Sequence, residues 1–245
     1  MFNIIRLRET ASTNSYLKNL LNVEANSVSE GTVVCADFQT DGRGTDGNSW
    51  ESEDGKNLLF SMALFPSNVD AVHQYELSKM VSLAILDVLK NEDDHFSIKW
   101  PNDIYWNDKK IAGILIENDL MGTNIHHSVV GIGLNVNQDT FVGNAPNPVS
   151  LTQITHKYYD RNTLLNTLVK QLYMFSLKLL QNGVGCFDDD YKSNLYHRQG
   201  FYEYQANGEI FTAEIADVLP IGHIILRTKT GEERTFAFKE VHYIL

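Results

Sequence analysis

Apolar residues recur along the chain in short runs separated by polar and glycine-rich stretches. Residues 2–7 read as a strand, after which Ser12-Thr13-Asn14 forms an N-capping cluster ahead of Tyr16-Leu17 and Leu20-Leu21 at helical spacing. Residues 31–38 and 57–65 are further strands, the second closed by Pro66. Residues 72–89 carry apolar side chains at three- and four-residue spacing and predict the clearest helix of the chain. Strands return at 96–100, 104–106, 110–117 and 127–135, and helices follow over 161–181 and 186–196.

From Gly200 the pattern changes to closely spaced short strands at 201–204, 209–215, 224–227 and 234–238. Asn207-Gly208, Ile221-Gly222 and Thr230-Gly231 supply turns between them, so a small β-barrel is expected at this end. Hairpins mixed with helices predict an α+β fold with a mixed, largely antiparallel sheet covered on one face by helices. The expected domains are residues 1–198 and 199–245.

Composition narrows the function classes. The 245 residues are 43% hydrophobic and 21% charged, an ordinary globular profile. A net charge of −11 disfavours a nucleic-acid partner unless positive charge is strongly local. The two cysteines, Cys35 and Cys186, cannot build a disulfide framework in a chain this long and read as reduced thiols, predicting a cytoplasmic protein. The first residues lack a signal-peptide core, and no segment is apolar enough to span a bilayer. The eight histidines show no metal-ligand spacing, and His126-His127 read as loop residues before a strand.

Candidate chemistry gathers in residues 99–113. Asn107-Asp108 supplies a hairpin turn between two apolar runs, leaving Asn102 and Asp103 as surplus polar groups beside a core strand. Gly42-Arg43-Gly44-Thr45-Asp46-Gly47 fits the dinucleotide pattern G-x-G-x-x-G, but residues 48–55 form a polar loop where that fold needs a helix. Such a loop can wrap an anion through backbone amides and Arg43, or lie solvated at the surface. Gly131 and Gly133 inside a strand, followed by Asn135, signal either close approach of a ligand or a β-bulge.

Ser12-Thr13-Asn14, Gln39, the 42–50 loop, Lys-Trp-Pro-Asn-Asp with Lys-Ile-Ala-Gly, Gly131–Asn135 and the final barrel together resemble the biotin–protein ligase family, in its short form without a DNA-binding domain. The resemblance implies a catalytic domain related to lipoate ligases and an SH3-like C-terminal barrel. It also implies a two-step reaction. Biotin's carboxylate attacks the α-phosphate of ATP to give biotinyl-5′-AMP, and a lysine of a biotin carboxyl carrier protein then takes the biotinyl group.

Residue by residue, Lys110 falls on the family's catalytic lysine, with Arg43 and Asp103 beside it. Asp103 would orient Lys110, assist the incoming amine, or lie near Mg²⁺. Ser12, Thr13, Asn14 and Gln39, with backbone at Gly42 and Arg43, would bind biotin's ureido end. Gly113, Gly131 and Gly133 would let its apolar chain lie against backbone. Arg43, Trp50, Asn102, Lys110 and Asn135 would face the nucleotide. Mg²⁺ would be held mainly by phosphate oxygens, with no dedicated protein metal site. Monomer and homodimer both remain open, and neither nucleic acid nor membrane is an expected partner. The alternatives are a lipoate or octanoate attachment enzyme and a non-catalytic module that holds biotin or its adenylate.

One departure from the family stands out. Thr45, Asp46 and Asn48 occupy loop positions that commonly carry basic or amide residues, leaving Arg43 as the cation between Gly42 and Trp50. Weaker ATP binding or faster escape of the adenylate is the expected consequence.

Overall fold

A computed structural model describes residues 2–24, 27–143 and 147–244. In chain order the elements are β1 (Ile4–Thr10), α1 (Thr13–Val23), β2 (Val33–Gln39), β3 (Leu58–Leu64), α2 (Tyr75–Leu89), β4 (Phe96–Lys99), β5 (Asp103–Trp106), β6 (Lys109–Met121), β7 (Asn124–Leu134), α3 (Leu151–Thr155), α4 (Arg161–Asn182), α5 (Asp188–Ser193), β8 (Tyr202–Ala206), β9 (Glu209–Val218), β10 (Ile224–Thr228), β11 (Glu233–Phe236) and β12 (His242–Tyr243).

The first sheet runs β1-β2-β3-β7-β6-β5-β4. β1 and β2 pair in parallel, which requires a crossover, and α1 supplies it. The remaining neighbours in this sheet are antiparallel hairpins or returns, so the mixed, largely antiparallel expectation holds.

Helices do not keep to one face. Val33 belongs to the main core with α2 and α4, whereas its neighbour Val34 packs with Leu17 and Leu21 of α1, Ala63 and Val129 on the opposite face. The reason lies in β3, buried at every position from Leu58 to Leu64. A strand covered on both faces reads as an unbroken apolar run rather than an alternating one. α1 packs mainly on β2, β3 and β7 and meets β6 through Asn14 and Lys18 at Leu115 and Glu117, so the same face over β5 and the start of β6 is left for something other than a helix.

Other boundaries move for local reasons. The helix expected from Val72 starts at Tyr75, since Val72 sits exposed in a short 3-10 turn, Ala71–His73. The β6–β7 hairpin extends beyond the core to a turn at Gly122, and His126 and His127 lie within β7 rather than in a loop. α3 is announced by a capping box, Ser150 with Gln153, that apolar periodicity does not reveal. The second sheet, β11-β10-β9-β8-β12, is antiparallel throughout and gains the terminal strand β12. Among the described residues no helix is long and apolar enough to cross a membrane.

Candidate active site

The open part of the α1 face is floored by glycine. Gly113 of β6 pairs with Gly133 of β7, and Gly131 lies between Ser61 of β3 and Leu115 of β6. Trp50 rests on this floor. A Cβ at Gly133 would stand 2.3 Å from Trp50 Cε2, and one at Gly113 would stand 2.8 Å from Cζ3. Gly131 instead makes room for Asn14, whose Oδ1 would lie 2.1 Å from an added Cβ. Two of the three floor glycines therefore accommodate the indole and the third a polar side chain. Gly42 closes the loop that carries the indole, accepting from Trp50 N at 2.7 Å.

One end of the pocket is a connected polar cluster. Ser12, Thr13 and Asn14 are all buried at the start of α1. Ser12 has N-cap backbone angles, but its side chain makes no cap hydrogen bond. Thr13 donates to Gln39 Oε1 from its backbone N at 2.8 Å and from its hydroxyl at 3.1 Å. Ser61 Oγ lies 2.8 Å from Thr13 Oγ1 and 2.6 Å from Asn14 Oδ1. Asn14 Nδ2 donates onward to Glu117 Oε2 at 2.9 Å and to Leu115 O at 3.2 Å. Ser61 and Glu117 were not singled out from sequence. Ser61 did leave a signal, as the polar break in Leu58–Leu64.

Glu117 also collects the loop cation. Arg43 Nη2 donates to Glu117 Oε1 at 3.2 Å, Lys18 Nζ donates to the same oxygen at 3.0 Å, and Arg43 Nη1 reaches Ser15 Oγ at 3.4 Å. Burial pushes the Glu117 carboxyl up, but hydrogen bonds from Asn14 and Lys18 and the charge of Arg43 outweigh it and hold it below the ordinary range. The Asp46 side chain lies outside the described residues.

Lys110 and Asp103 form the other end. Asp103 pairs with Gly113, but the β5–β6 register shifts between Ile104 and Tyr105, so Ile104 faces Ala112 while Tyr105 faces Lys110. Ile111 is the surplus residue and remains in the core. Strict alternation back from Gly113 would aim Ile111 at the pocket and Lys110 into the core; the bulge reverses this. Lys110 Nζ consequently lies 2.7 Å from Asp103 Oδ1 and 5.6 Å from the centroid of a Trp50 ring. The ion pair lacks hydrogen-bond alignment, and Asp103 Oδ1 accepts no hydrogen bond among the described residues. Trp50 Nε1 is likewise buried without a partner.

Both candidate asparagines support this end through backbone. Asn102 Nδ2 donates to Ile114 O at 2.8 Å. Asn135 Nδ2 donates to Val149 O at 3.1 Å, and Val149 N donates to Lys110 O at 2.9 Å, so Asn135 braces the strand carrying Lys110. Lys110 also donates from its backbone N to Asn147 O at 2.8 Å. Beyond Lys110 a cleft opens, lined by Lys99, Asn102, Asp103, Thr45, Asn48 and, from the second sheet, Tyr243. Burial lowers the Lys99 pKa, with Asp103 opposing and Lys110 reinforcing that shift. Among the described residues no three His, Cys, Asp or Glu side chains form a metal-binding group.

The pocket can thus offer donors and acceptors to a compact polar head, a flat apolar bed to its body, and a cation to an anionic tail. Comparison with known proteins agrees. Residues 7–135 match the Biotin/lipoate A/B protein ligase family. The bifunctional ligase/repressor BirA of Bacillus spizizenii is 30% identical over 176 residues, covering 70% of this chain and 49% of that protein. The biotin–[acetyl-CoA-carboxylase] ligase of Mycobacterium tuberculosis is 30% identical over 168 residues, covering 67% of this chain and 60% of that one. The chain spans about half the length of such curated relatives. A solved structure of biotin protein ligase from Aquifex aeolicus, in complex with biotin and ATP, is 27% identical with a TM-score of 0.79 and 99% coverage of each chain. By the match over more than half its length, the chain belongs to the Biotin/lipoate A/B protein ligase family.

Proposed function

We propose that this protein activates biotin with ATP as biotinyl-5′-AMP and transfers the biotinyl group to a lysine of a biotin carboxyl carrier protein in the cytoplasm. The observation that carries the reading is Lys110 turned by the bulge to one end of a glycine-floored pocket whose other end is the Thr13–Asn14–Gln39 cluster. Biotin's ureido head suits that cluster, its apolar chain suits the floor, and its carboxylate would meet Lys110. Residues 1–198 would form the catalytic domain and 199–245 the appended barrel.

Both steps build negative charge on phosphate or carbonyl oxygen, so a preorganised cation at the reacting atoms supplies the main stabilisation. Lys110, a compact ammonium, would bridge the biotin carboxylate and the α-phosphate. Biotin would lift the Trp50 indole from Gly113 and Gly133 and then lie beneath it. Arg43 would leave Glu117 for the phosphates. The pair is half-exposed and contributes about 1 kcal/mol or less, so a polyphosphate readily competes for it. The residues fit Mg²⁺ in one respect: Asp103 Oδ1 is a buried carboxylate oxygen without a hydrogen bond, able to join phosphate oxygens around the ion. When bound, Mg²⁺ would neutralise triphosphate charge.

The test is exchange of labelled pyrophosphate into ATP. Exchange with biotin and none with lipoate is expected. Exchange driven by lipoate would assign the chain to lipoyl chemistry, and biotin binding without exchange would make it a binding module.

A further inference from the structure

The second sheet grips the chain segment leading into Asp103 at points outside the biotin pocket. The turn between β9 and β10 is closed by Leu219 N to His223 O and Gly222 N to Leu219 O, each 2.8 Å, and it presents Gly222 to the first sheet. Trp100 Nε1 donates to Gly222 O at 2.9 Å. Gly222 has φ +95°, and a Cβ there would stand 2.6 Å from Tyr75 Cδ2, so glycine is needed both for the backbone angle and for the close approach. Tyr75 donates its hydroxyl to Pro101 O at 3.0 Å. From the other side Phe238 meets Trp100 edge-on at 6.5 Å between centroids, and Lys99 Nζ lies 4.8 Å from the Tyr243 ring centroid. Residues 99–101 are held by the second sheet or by residues seated against it, and Asp103 follows two positions later. None of these contacts involves Ser12, Thr13, Asn14 or Gln39.

We infer that Gly222 and Trp100 are positioning residues: the seated β9–β10 turn fixes residues 99–103 and thereby sets Asp103 against Lys110, so the second sheet governs the chemical step without taking part in biotin recognition. The inference rests on the proposed role of Lys110. Displacing a reacting group by about 1 Å can cost about a hundredfold in rate, which makes this seating a lever on turnover.

The test uses the full chain with Gly222→Val and, separately, Trp100→Phe, which keeps an aromatic ring and removes the N–H donor. Biotin affinity is measured by calorimetry, and kcat and KM by biotin-dependent pyrophosphate exchange. Gly222→Val is expected to lower kcat by about tenfold or more and Trp100→Phe by about threefold or more, with biotin Kd within about twofold of the parent. If Gly222→Val does not fold, Trp100→Phe decides. Unchanged kcat in a folded variant overturns the inference, as does biotin affinity falling in step with kcat, the mark of a merely structural role. A parent chain without biotin-dependent exchange overturns the functional reading, and the inference with it. Active parent and unaffected variants overturn the inference alone.

Discussion

The two ends of the pocket are built on different physical terms. At the α1 end, buried Thr13, Asn14 and Ser61 are already joined by hydrogen bonds to each other and to the partly buried Gln39 and Glu117. At the β5–β6 end, Asp103 Oδ1 and Trp50 Nε1 are buried without hydrogen bonds among the described residues, and Lys110 is held by an unaligned ion pair. A buried polar atom without an aligned hydrogen bond is costly, so the ionic end is the less internally stabilised of the two. The polar end is joined by hydrogen bonds within the protein; the ionic end relies on charge and packing.

Several substitutions would break or sharpen this contrast. The largest effect is expected at the ionic end: Lys110→Ala should cut pyrophosphate exchange by about a hundredfold or more, with the fold retained by circular dichroism and a lowered thermal midpoint because Asp103 loses its counter-charge. At the floor, Gly133→Val puts a branched side chain into the space of the Trp50 ring. Biotin affinity should fall by about tenfold or more, and a shift in tryptophan fluorescence should report the displaced indole. At the polar end, Ser61→Ala strips a partner from buried Thr13 and Asn14 and should cost about 1–3 kcal/mol in chemical denaturation, together with weaker biotin binding.

The smallest effect concerns Glu117. Its folded-state carboxyl titrates below the ordinary 4.5, so its share of stability is present above that value and fades as pH falls through the folded value. Glu117→Gln should flatten this acid loss, by about 1 kcal/mol or less, in denaturation curves collected from pH 6 to 3.

The legible and illegible parts of the molecule divide along the same contrast. Asn107-Asp108 announces its hairpin, and Asn107 indeed takes positive φ at a turn that returns Lys109 opposite Trp106. Asp103 was therefore readable as a surplus polar residue from local spacing, whereas the role proposed for Lys110 came from the family resemblance. The bulge at Ile111 was not readable, because alternation alone would send Lys110 into the core, and only packing of Ile111 reverses it. Ser61 and Glu117, the remaining members of the polar cluster, escaped for another reason. Ser61 meets Thr13 and Asn14 across 48 and 47 residues, and Glu117 meets Asn14 across 103, so no window of sequence contains the contacts. Nor could spacing assign Gly131 to Asn14 and Gly113 and Gly133 to Trp50, since a glycine discloses that something comes close and not what.

Biotin calorimetry on Lys110→Ala, run beside its exchange assay, tests the division of labour most directly. The account predicts biotin affinity lowered by no more than about tenfold while exchange falls by about a hundredfold or more, because only the carboxylate contact is removed and the Thr13–Asn14–Gln39 end is intact in that variant. Affinity lost in parallel with exchange would contradict it, and would make Lys110 part of ligand selection rather than of the chemical step.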